Sequence, residues 1–403
     1  MLLIRHGFYR IFQFIFYRAA KLLKWPVPKR IEGEGSVLEL PQEVLRRGVK
    51  HVLLVTDATI VRLGFAEPLK KALEDAGVRC SVFDTVLPNP TIAIVEAARA
   101  AYAADDCDGF VALGGGSVID TAKVAAARIA LPRKSVARMR GFLKVGKTLP
   151  PVFAVPTTAG TGSEVTIAAV VTDEHHHKYA VSDPHLIPVC AVLDPAFSAR
   201  MPSSVTAETG MDALTHAVEA YITKGVSKRC RTLSEKAVKL IFANLPRVYG
   251  NGADMEARMN MLRAAFFAGD SFTRAGLTYV HPVAHTLSGL YGTPHGRANA
   301  VTLPVVLEAF GRSVEKPLAQ LANAAGIDVS GKTDGEAAKA FIAAIRGLNR
   351  SMGIPDAFGF IREEDIPQMT AWALAEANPW YPVPMVFGAA EVEAIIRQII
   401  KGE

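Results

Sequence analysis

The sequence predicts an α/β N-terminal domain with a parallel sheet, followed by an all-helical C-terminal domain. Three observations predict it. Short apolar runs alternate with amphipathic segments through the first half of the chain. Two of those runs end in small-residue turns, GGGS at 114–117 and TTAGTGS at 157–163. From about Pro202 onward strand signals nearly vanish, and Ala/Leu-rich segments with a period of roughly 3.6 residues take over. The expected divisions are a basic amphipathic helix over residues 1–30, the α/β domain over 31–200 and the helical domain over 201–403.

The elements follow in order. KHVLLVTDATIV reads as a buried strand and EPLKKALEDAG as an amphipathic helix closed by Gly77. VRCSVFD is a second strand, PNPT a turn, TIAIVEAARAAYAADD a helix, and GFVALGGGS a third strand running into glycines. That β-α-β-α-β alternation is the pattern of a helix-covered parallel sheet. Strands continue at PVFAVPTT, TIAAVVTD and CAVLDP. The helical half is carried by ETGMDALTHAVEAYI, TLSEKAVKLIFANL, MEARMNMLRAAFFAG and EAAKAFIAAIRGLN.

Composition narrows the function classes. At 403 residues the chain can bury two cores. Cys80, Cys107, Cys190 and Cys230 are scattered, with no C-x-x-C pair, so neither a disulfide framework nor a thiolate zinc site is expected, and a reducing compartment fits. The net charge is +6, but residues 1–30 hold seven positive charges and no negative one, so the remaining residues sum to 6 − 7 = −1. The basic balance belongs to the tail, and no nucleic-acid partner is expected.

Gly114, Gly115, Gly116 and Ser117 lie between a strand and a helix. Backbone N–H groups there can hold a phosphate, although the same turn also forms with no ligand. A second loop with Thr157, Thr158, Thr161 and Ser163 follows another strand. Two such loops at the carboxyl ends of parallel strands are what a dinucleotide crevice needs. In the helical half, Asp212 and His216 are four residues apart on one helix face, a spacing that also makes ordinary surface ion pairs. TYVHPVAHTLSGLYGTPHG then collects three of the ten histidines, His281, His285 and His295. Pro282 at a first helical position would put His281 at the N-cap and His285 one turn on. One carboxylate and three imidazoles make a nitrogen/oxygen site for a divalent first-row metal; the alternative is a set of core histidines, each hydrogen-bonded. His175, His176 and His177 read as a solvated hairpin turn.

These blocks carry a resemblance. LGGGSVIDTAK, VPTTAGTGSEVT, TAETGMDALTHAVEAY and HPVAHTLSGLYGTPHGRANAV resemble the iron-containing (group III) alcohol dehydrogenases, a family that includes lactaldehyde reductase and, more distantly, glycerol dehydrogenase and dehydroquinate synthase. The likeness runs over roughly residues 35–400. It implies a two-domain enzyme with bound NAD and one divalent metal, Fe²⁺ or Zn²⁺. The implied metal ligands are Asp212, His216, His281 and His295, with His285 as the catalytic histidine beside the nicotinamide. The implied cofactor positions are Asp57, Asn89, Gly115, Gly116, Ser117, Thr157, Thr158 and Lys178, and Ala168 and Phe272 fall near substrate-lining positions. The implied reaction is hydride transfer between a primary or small apolar alcohol or aldehyde and NAD(H). A metal with an open position would lower the hydroxyl pKa, and His285 would relay the proton. Asp57 at the end of the first strand of the α/β half would favour NAD over NADP, unless it only starts a turn. A homodimer is expected. The rival readings are a dehydroquinate synthase-like lyase on the same fold and a non-catalytic, membrane-localised domain.

Two segments depart from the family pattern. ALAEANPWYPVPMVF is shorter than its counterpart in lactaldehyde reductase relatives and adds Trp380 and Tyr381 to the expected pocket, and residues 1–30 have no counterpart. On a helical wheel, Ile4, Phe8, Ile11, Phe12, Ile15, Ala19 and Leu22 cluster opposite His6, Arg10, Gln13, Tyr17, Lys21 and Lys24. Charges interrupt every stretch long enough to span a bilayer, and no signal-peptide cleavage site or presequence serines are present. A helix lying in a membrane interface through residues 1–25 is favoured over one docked on the protein itself. The expected location is cytoplasmic, peripheral on the inner face of the membrane.

Overall fold

The computed structural model describes residues 2–20, 23–175 and 177–401; for residues 2–6 only the backbone is described. His176, Lys21 and Leu22, named above, lie outside them. The chain forms two compact units. One comprises Trp25–Met201 and Gly252–Gly269, the other Met1–Lys24, Pro202–Asn251 and Asp270–Glu403. Residues 252–269, all but the first three of them in the helix Met255–Ala275, group with the α/β unit.

Among the described residues the strands of the first unit are β1 (Lys29–Glu32), β2 (His51–Val55), β3 (Arg79–Phe83), β4 (Gly109–Gly114), β5 (Gly141–Phe142), β6 (Val152–Pro156), β7 (Ala168–Thr172), β8 (Lys178–Ser182) and β9 (Cys190–Leu193). Six form one sheet in the order β1-β9-β6-β4-β2-β3, every pair parallel. Its two faces read off by alternation. Leu53, Val55, Phe110, Ala112, Val152 and Ala154 pack with Val95, Ala98, Tyr102 and Ile119 on one side. Val52, Leu54, Val111, Leu113, Phe153 and Val155 pack with Leu40, Val44, Leu69 and Leu73 on the other. The crossover helix Ala66–Asp75 covers the second face and the crossover helix Ile92–Ala104 the first. The helices that follow β2 (Ala66–Asp75) and β4 (Gly116–Ala130) therefore lie on opposite faces, and the carboxyl ends of β2 and β4 flank a topological switch point, where ligands of such sheets bind.

The strands β1, β5 and β8 lie outside the sequence reading, and β7 joins a different sheet from the one expected. β1, in KRIE, carries one apolar residue, Ile31, and pairs only with β9 at the sheet edge, so its apolar signal is too weak to register. The strand expected to be first is therefore second. TIAAVVTD does form β7, but in a separate three-stranded sheet, β5-β8-β7, where it pairs antiparallel with β8. The turn between them is the expected polar one: Asp173 accepts from the backbone N–H of His175 and His177, and His175 is exposed.

The second unit is helical. Ser203–Ile222, Lys228–Gly250, Val280–Tyr291, His295–Phe310, Glu315–Ala324, Asp334–Ser351, Ile366–Ala377 and Ala389–Lys401 supply its core, with Leu2–Ala20 packed on it. Among the described residues no helix is long and apolar enough to cross a membrane. The N-terminal helix is docked on its own chain, the reading that the sequence placed second, and it docks by an unexpected face. Arg10 donates to the carbonyls of Val383 (2.6 Å) and Pro384 (2.9 Å), and Gln13 donates to that of Tyr381 (2.7 Å). Phe12 and Phe16 meet Trp380 edge-on. The two segments that depart from the family pattern are thus packed against each other.

Candidate functional site

In the α/β unit the expected cofactor residues gather around the helix Gly116–Ala130. Gly115 is its N-cap and β4 feeds directly into it. A Cβ on Gly116 would lie 2.7 Å from Cγ2 of Thr161, so glycine there is what lets the second loop close over the helix start. Thr157 N–H donates to the Gly114 carbonyl (3.1 Å). Asn89, held at a positive φ of 58°, donates its N–H to Ser117 Oγ (3.3 Å). Lys178 pairs with Thr172, and Thr172 in turn bridges to Thr91, just after Asn89. Asp57 lies beyond the strand end, as the N-cap of the helix Ala58–Arg62; its Oδ1 accepts from Thr59 N (2.8 Å) and Ile60 N (3.0 Å). One oxygen of this carboxylate is therefore engaged locally, in a helix cap rather than in the turn weighed above as the alternative.

A buried lysine holds the second loop, which the sequence reading missed. Lys123 donates to the Ser163 carbonyl (2.8 Å), Ser163 Oγ (3.1 Å), Thr166 Oγ1 (3.2 Å) and the Ala168 carbonyl (2.7 Å). Asp120 accepts from Ser163 Oγ (2.6 Å) and Val170 N (2.9 Å). Burial lowers the pKa of Lys123 to about 8, against the opposing pull of Asp120 and Glu164. The i, i+3 spacing of Asp120 and Lys123 in VIDTAK is the signal that could have found them.

In the helical unit the side chains converge. Asp212 and His216 lie on the helix Ser203–Ile222, and His281 and His285 on Val280–Tyr291. The latter helix starts at Val280, so His281 lies within its first turn rather than at the N-cap. His295 opens the helix His295–Phe310. A Cβ on Gly296 would lie 2.2 Å from the Glu208 carbonyl oxygen, so glycine permits the backbone contact that brings His295 beside Asp212. Donor atoms of Asp212, His216 and His281, all buried, lie within 4.8 Å of one another. His281 Nε2 is 2.9 Å from His216 Nε2 and 3.8 Å from Asp212 Oδ1, and His295 Nε2 is 3.6 Å from Asp212 Oδ1. The structure thus groups all four residues named for the metal.

Two carboxylates and an amide complete the group, none of them anticipated. Glu219 accepts from His281 Nδ1, and it also takes Thr278 N (2.8 Å) and Val280 N (3.1 Å). Burial disfavours charge at both partners, yet their mutual attraction prevails, holding Glu219 below and His281 above the ordinary range. With Nδ1 engaged by Glu219, the Nε2 atom of His281 faces His216 and Asp212. Asp212, His216 and Glu219 follow at i, i+4 and i+7, a pattern readable in DALTHAVE. Asn299 Nδ2 lies 2.7 Å from Asp212 Oδ1 and 3.1 Å from His295 Nε2. Glu376 accepts from His285 Nδ1 (2.9 Å) and from the Tyr381 hydroxyl (3.1 Å). Burial would raise Glu376, but His285 and Tyr381 hold it below the usual carboxylate range; burial and Glu376 push Tyr381 up. No spacing rule could have found Glu376, which is far from His285 in sequence.

Comparison with known proteins identifies the family. Residues 28–195 match the model for iron-containing alcohol dehydrogenase, and residues 206–400 match that for the C-terminal part of the Fe-containing alcohol dehydrogenase family. The chain belongs to the iron-containing alcohol dehydrogenase family. Lactaldehyde reductase of Escherichia coli K12 is 37% identical over 346 residues, which cover 85% of this chain and 90% of that protein. A crystal structure of 1,3-propanediol oxidoreductase superposes with a TM-score of 0.90 at 34% identity, covering 94% of this chain and all of that one. Sulfoacetaldehyde reductase from Bifidobacterium kashiwanohense, solved in complex with NAD⁺, superposes with a TM-score of 0.83 at 28% identity, covering 95% of this chain and 100% of that one.

This dehydrogenase is therefore an NAD-linked, metal-dependent oxidoreductase acting on alcohols or aldehydes. Of the residues expected in its pocket, Phe272 stacks on the His216 ring at 4.3 Å between centroids and 15° between planes. Ala168 opens β7 in the α/β unit. Trp380 packs edge-on against Phe12 and Phe16 of the N-terminal helix. The Tyr381 hydroxyl donates to Glu376, which also accepts from His285.

Proposed function

We propose that Asp212, His216, His281 and His295 hold one divalent metal, Fe²⁺ or Zn²⁺, and that the enzyme oxidises primary or small apolar alcohols with NAD. The observation that carries the reading is the commitment of His281 Nδ1 to buried Glu219, which turns the Nε2 lone pair toward His216 and Asp212. Lone pairs and a carboxylate facing one another in a buried space suit a cation. When bound, the metal supplies Lewis acidity to the substrate oxygen and the nicotinamide supplies the hydride acceptor.

The chain's own residues supply the proton chemistry and the positioning. His285 accepts the hydroxyl proton at Nε2, because Nδ1–H is held by Glu376, and the Glu376 charge stabilises the imidazolium that results. Tyr381 fixes Glu376 by its hydroxyl. Phe272 gives the pocket an apolar wall beside His216. Gly115, Gly116 and Ser117 present backbone N–H groups to the pyrophosphate, with Thr157, Thr158, Asn89 and Lys178 around them. Asp57 spends Oδ1 on its cap, which leaves Oδ2 for a ribose hydroxyl and disfavours a 2′-phosphate.

The test is NADH formation across a panel of alcohols. Medium-chain primary alcohols with NAD are expected to turn over faster than glycerol or propanediol, and NAD to be preferred over NADP. Preference for a polyol would refute the apolar pocket, and preference for NADP would refute the role of Asp57.

A further inference from the structure

The helix Leu2–Ala20 is held to its unit by one side and leaves the other uncovered. The inner side is Tyr9, Gln13, Phe12, Phe16 and the Arg10 guanidinium, all spent on residues 380–384 or buried among them. The outer side is Phe8, Ile11, Phe14 and Ile15, at 60, 62, 63 and 60% exposure. Spaced over two turns, they form one continuous apolar strip. A docked helix ordinarily buries its large apolar side chains and gives water its polar ones; here the polar groups are the anchors and the apolar ones face out. A strip of this kind, set among charges, marks an interaction surface.

Its surroundings say what covers it. The first 30 residues contain no Asp or Glu. Arg18 lies within the strip, its guanidinium 5.0 Å from the Phe14 ring centroid, and Lys24 is exposed just beyond the helix. Lys224, whose backbone N–H binds the Pro382 carbonyl, adds a cation near Arg10. A second copy of the chain would bring the same cations against themselves. Anionic headgroups complement them, and an arginine stem beside an aromatic ring can reach upward while the ring is buried.

We propose that this strip lies in the headgroup region of an anionic lipid bilayer, so that the enzyme is a peripheral membrane protein attached through the outer face of a helix whose inner face is fixed to the enzyme body. Detachment of the helix is not required, and the contact is independent of the metal site.

The experiment is flotation of the full chain with vesicles of phosphatidylcholine, alone or mixed with phosphatidylglycerol, at low and high ionic strength, beside sedimentation of the protein alone. The wild type is expected to float with the phosphatidylglycerol vesicles only, and less at high salt. The double variant Ile11→Ser/Phe14→Ser, which touches no docking contact, is expected to keep its circular dichroism and dehydrogenase activity and to lose membrane affinity by about tenfold or more. Arg18→Gln alone is expected to weaken binding at low salt and to matter little at high salt. A wild type that stays in the pellet overturns the proposal. So does a double variant that floats as well as the wild type, or a wild type that floats equally with neutral vesicles. Self-association that the double variant abolishes, without flotation, assigns the strip to a second copy and also overturns it.

Discussion

The two units build their sites from different parts of the chain. In the α/β unit the site is backbone: a helix N-terminus at Gly115–Ser117, a loop closed over it because Gly116 has no side chain, and Asn89 held at positive φ. In the helical unit it is side chains: Asp212, His216, His281, His285 and His295 on three helices, supported by Glu219, Asn299 and Glu376. Their buried carboxylates differ in the same sense. Glu43 of the α/β unit binds Lys29, Arg46 and Arg47, which are always charged, and ties β1 to the helix Leu40–Arg46. Glu219 and Glu376 bind histidines, whose charge changes with what they hold. On the proposed function, the buried acid paired with Arg and Lys serves the fold, while those paired with His serve the chemistry.

If the units divide the labour in this way, single changes should separate them. The largest effect is expected from His281→Ala: loss of bound metal and a fall in kcat/KM of at least about a thousandfold, with NADH binding by fluorescence titration kept. Joint loss of metal and NADH binding would break the comparison. Glu376→Gln leaves the metal in place and is expected to lower kcat about ten- to a hundredfold by releasing His285, with Tyr381→Phe giving a smaller loss in the same direction. Steady-state kinetics with metal analysis of each variant checks both.

Gly116→Ala should act only on the other side. Its new Cβ would press on Thr161, so the loop must shift; KM for NAD is expected to rise about tenfold while metal content stays unchanged. The smallest effect belongs to Glu43. Burial alone would raise its pKa, but Arg46, Lys29 and Arg47 outweigh that and hold it at about 2. Its pKa is lower folded than unfolded, so its stabilisation is full above the unfolded value and is lost as pH falls toward 2. With exposed partners screening the pair, Glu43→Gln is expected to cost about 1–2 kcal/mol at neutral pH and almost nothing near pH 2, read by denaturant melts at both pH values. Activity at neutral pH should not change.

The same division governs what was legible in the sequence. Side-chain chemistry shows in spacing, so His281, His285 and His295 in one stretch, and Asp212 with His216, pointed to the group that the structure assembles. Supporting groups were harder. Glu219 was readable at i+7 from Asp212, but Glu376 comes from a helix far along the chain, and only packing brings it to His285. Backbone sites leave a fainter trace: glycines mark a turn but not what occupies it, and Asp57 proved to be a helix cap as well as a candidate ligand. The weak edge strand β1 escaped because one apolar residue in four carries no alternation. The docking of the N-terminal helix was not legible, for a physical reason. Its amphipathicity was correctly read, but which face meets the body depended on carbonyls of residues 381, 383 and 384, and sequence periodicity says nothing of those.

The histidine–aspartate cluster of the helical unit is proposed to work as a metal centre in NAD-linked alcohol oxidation. Its most direct test is NADH formation from a primary alcohol by enzyme stripped with a chelator and then reloaded with Fe²⁺ or Zn²⁺, with NADH binding followed on the same samples. The account predicts that stripping abolishes turnover and leaves NADH binding intact, and that one equivalent of metal restores turnover in the wild type but not in His281→Ala. Full turnover by metal-free enzyme, or equal restoration in His281→Ala, would contradict it.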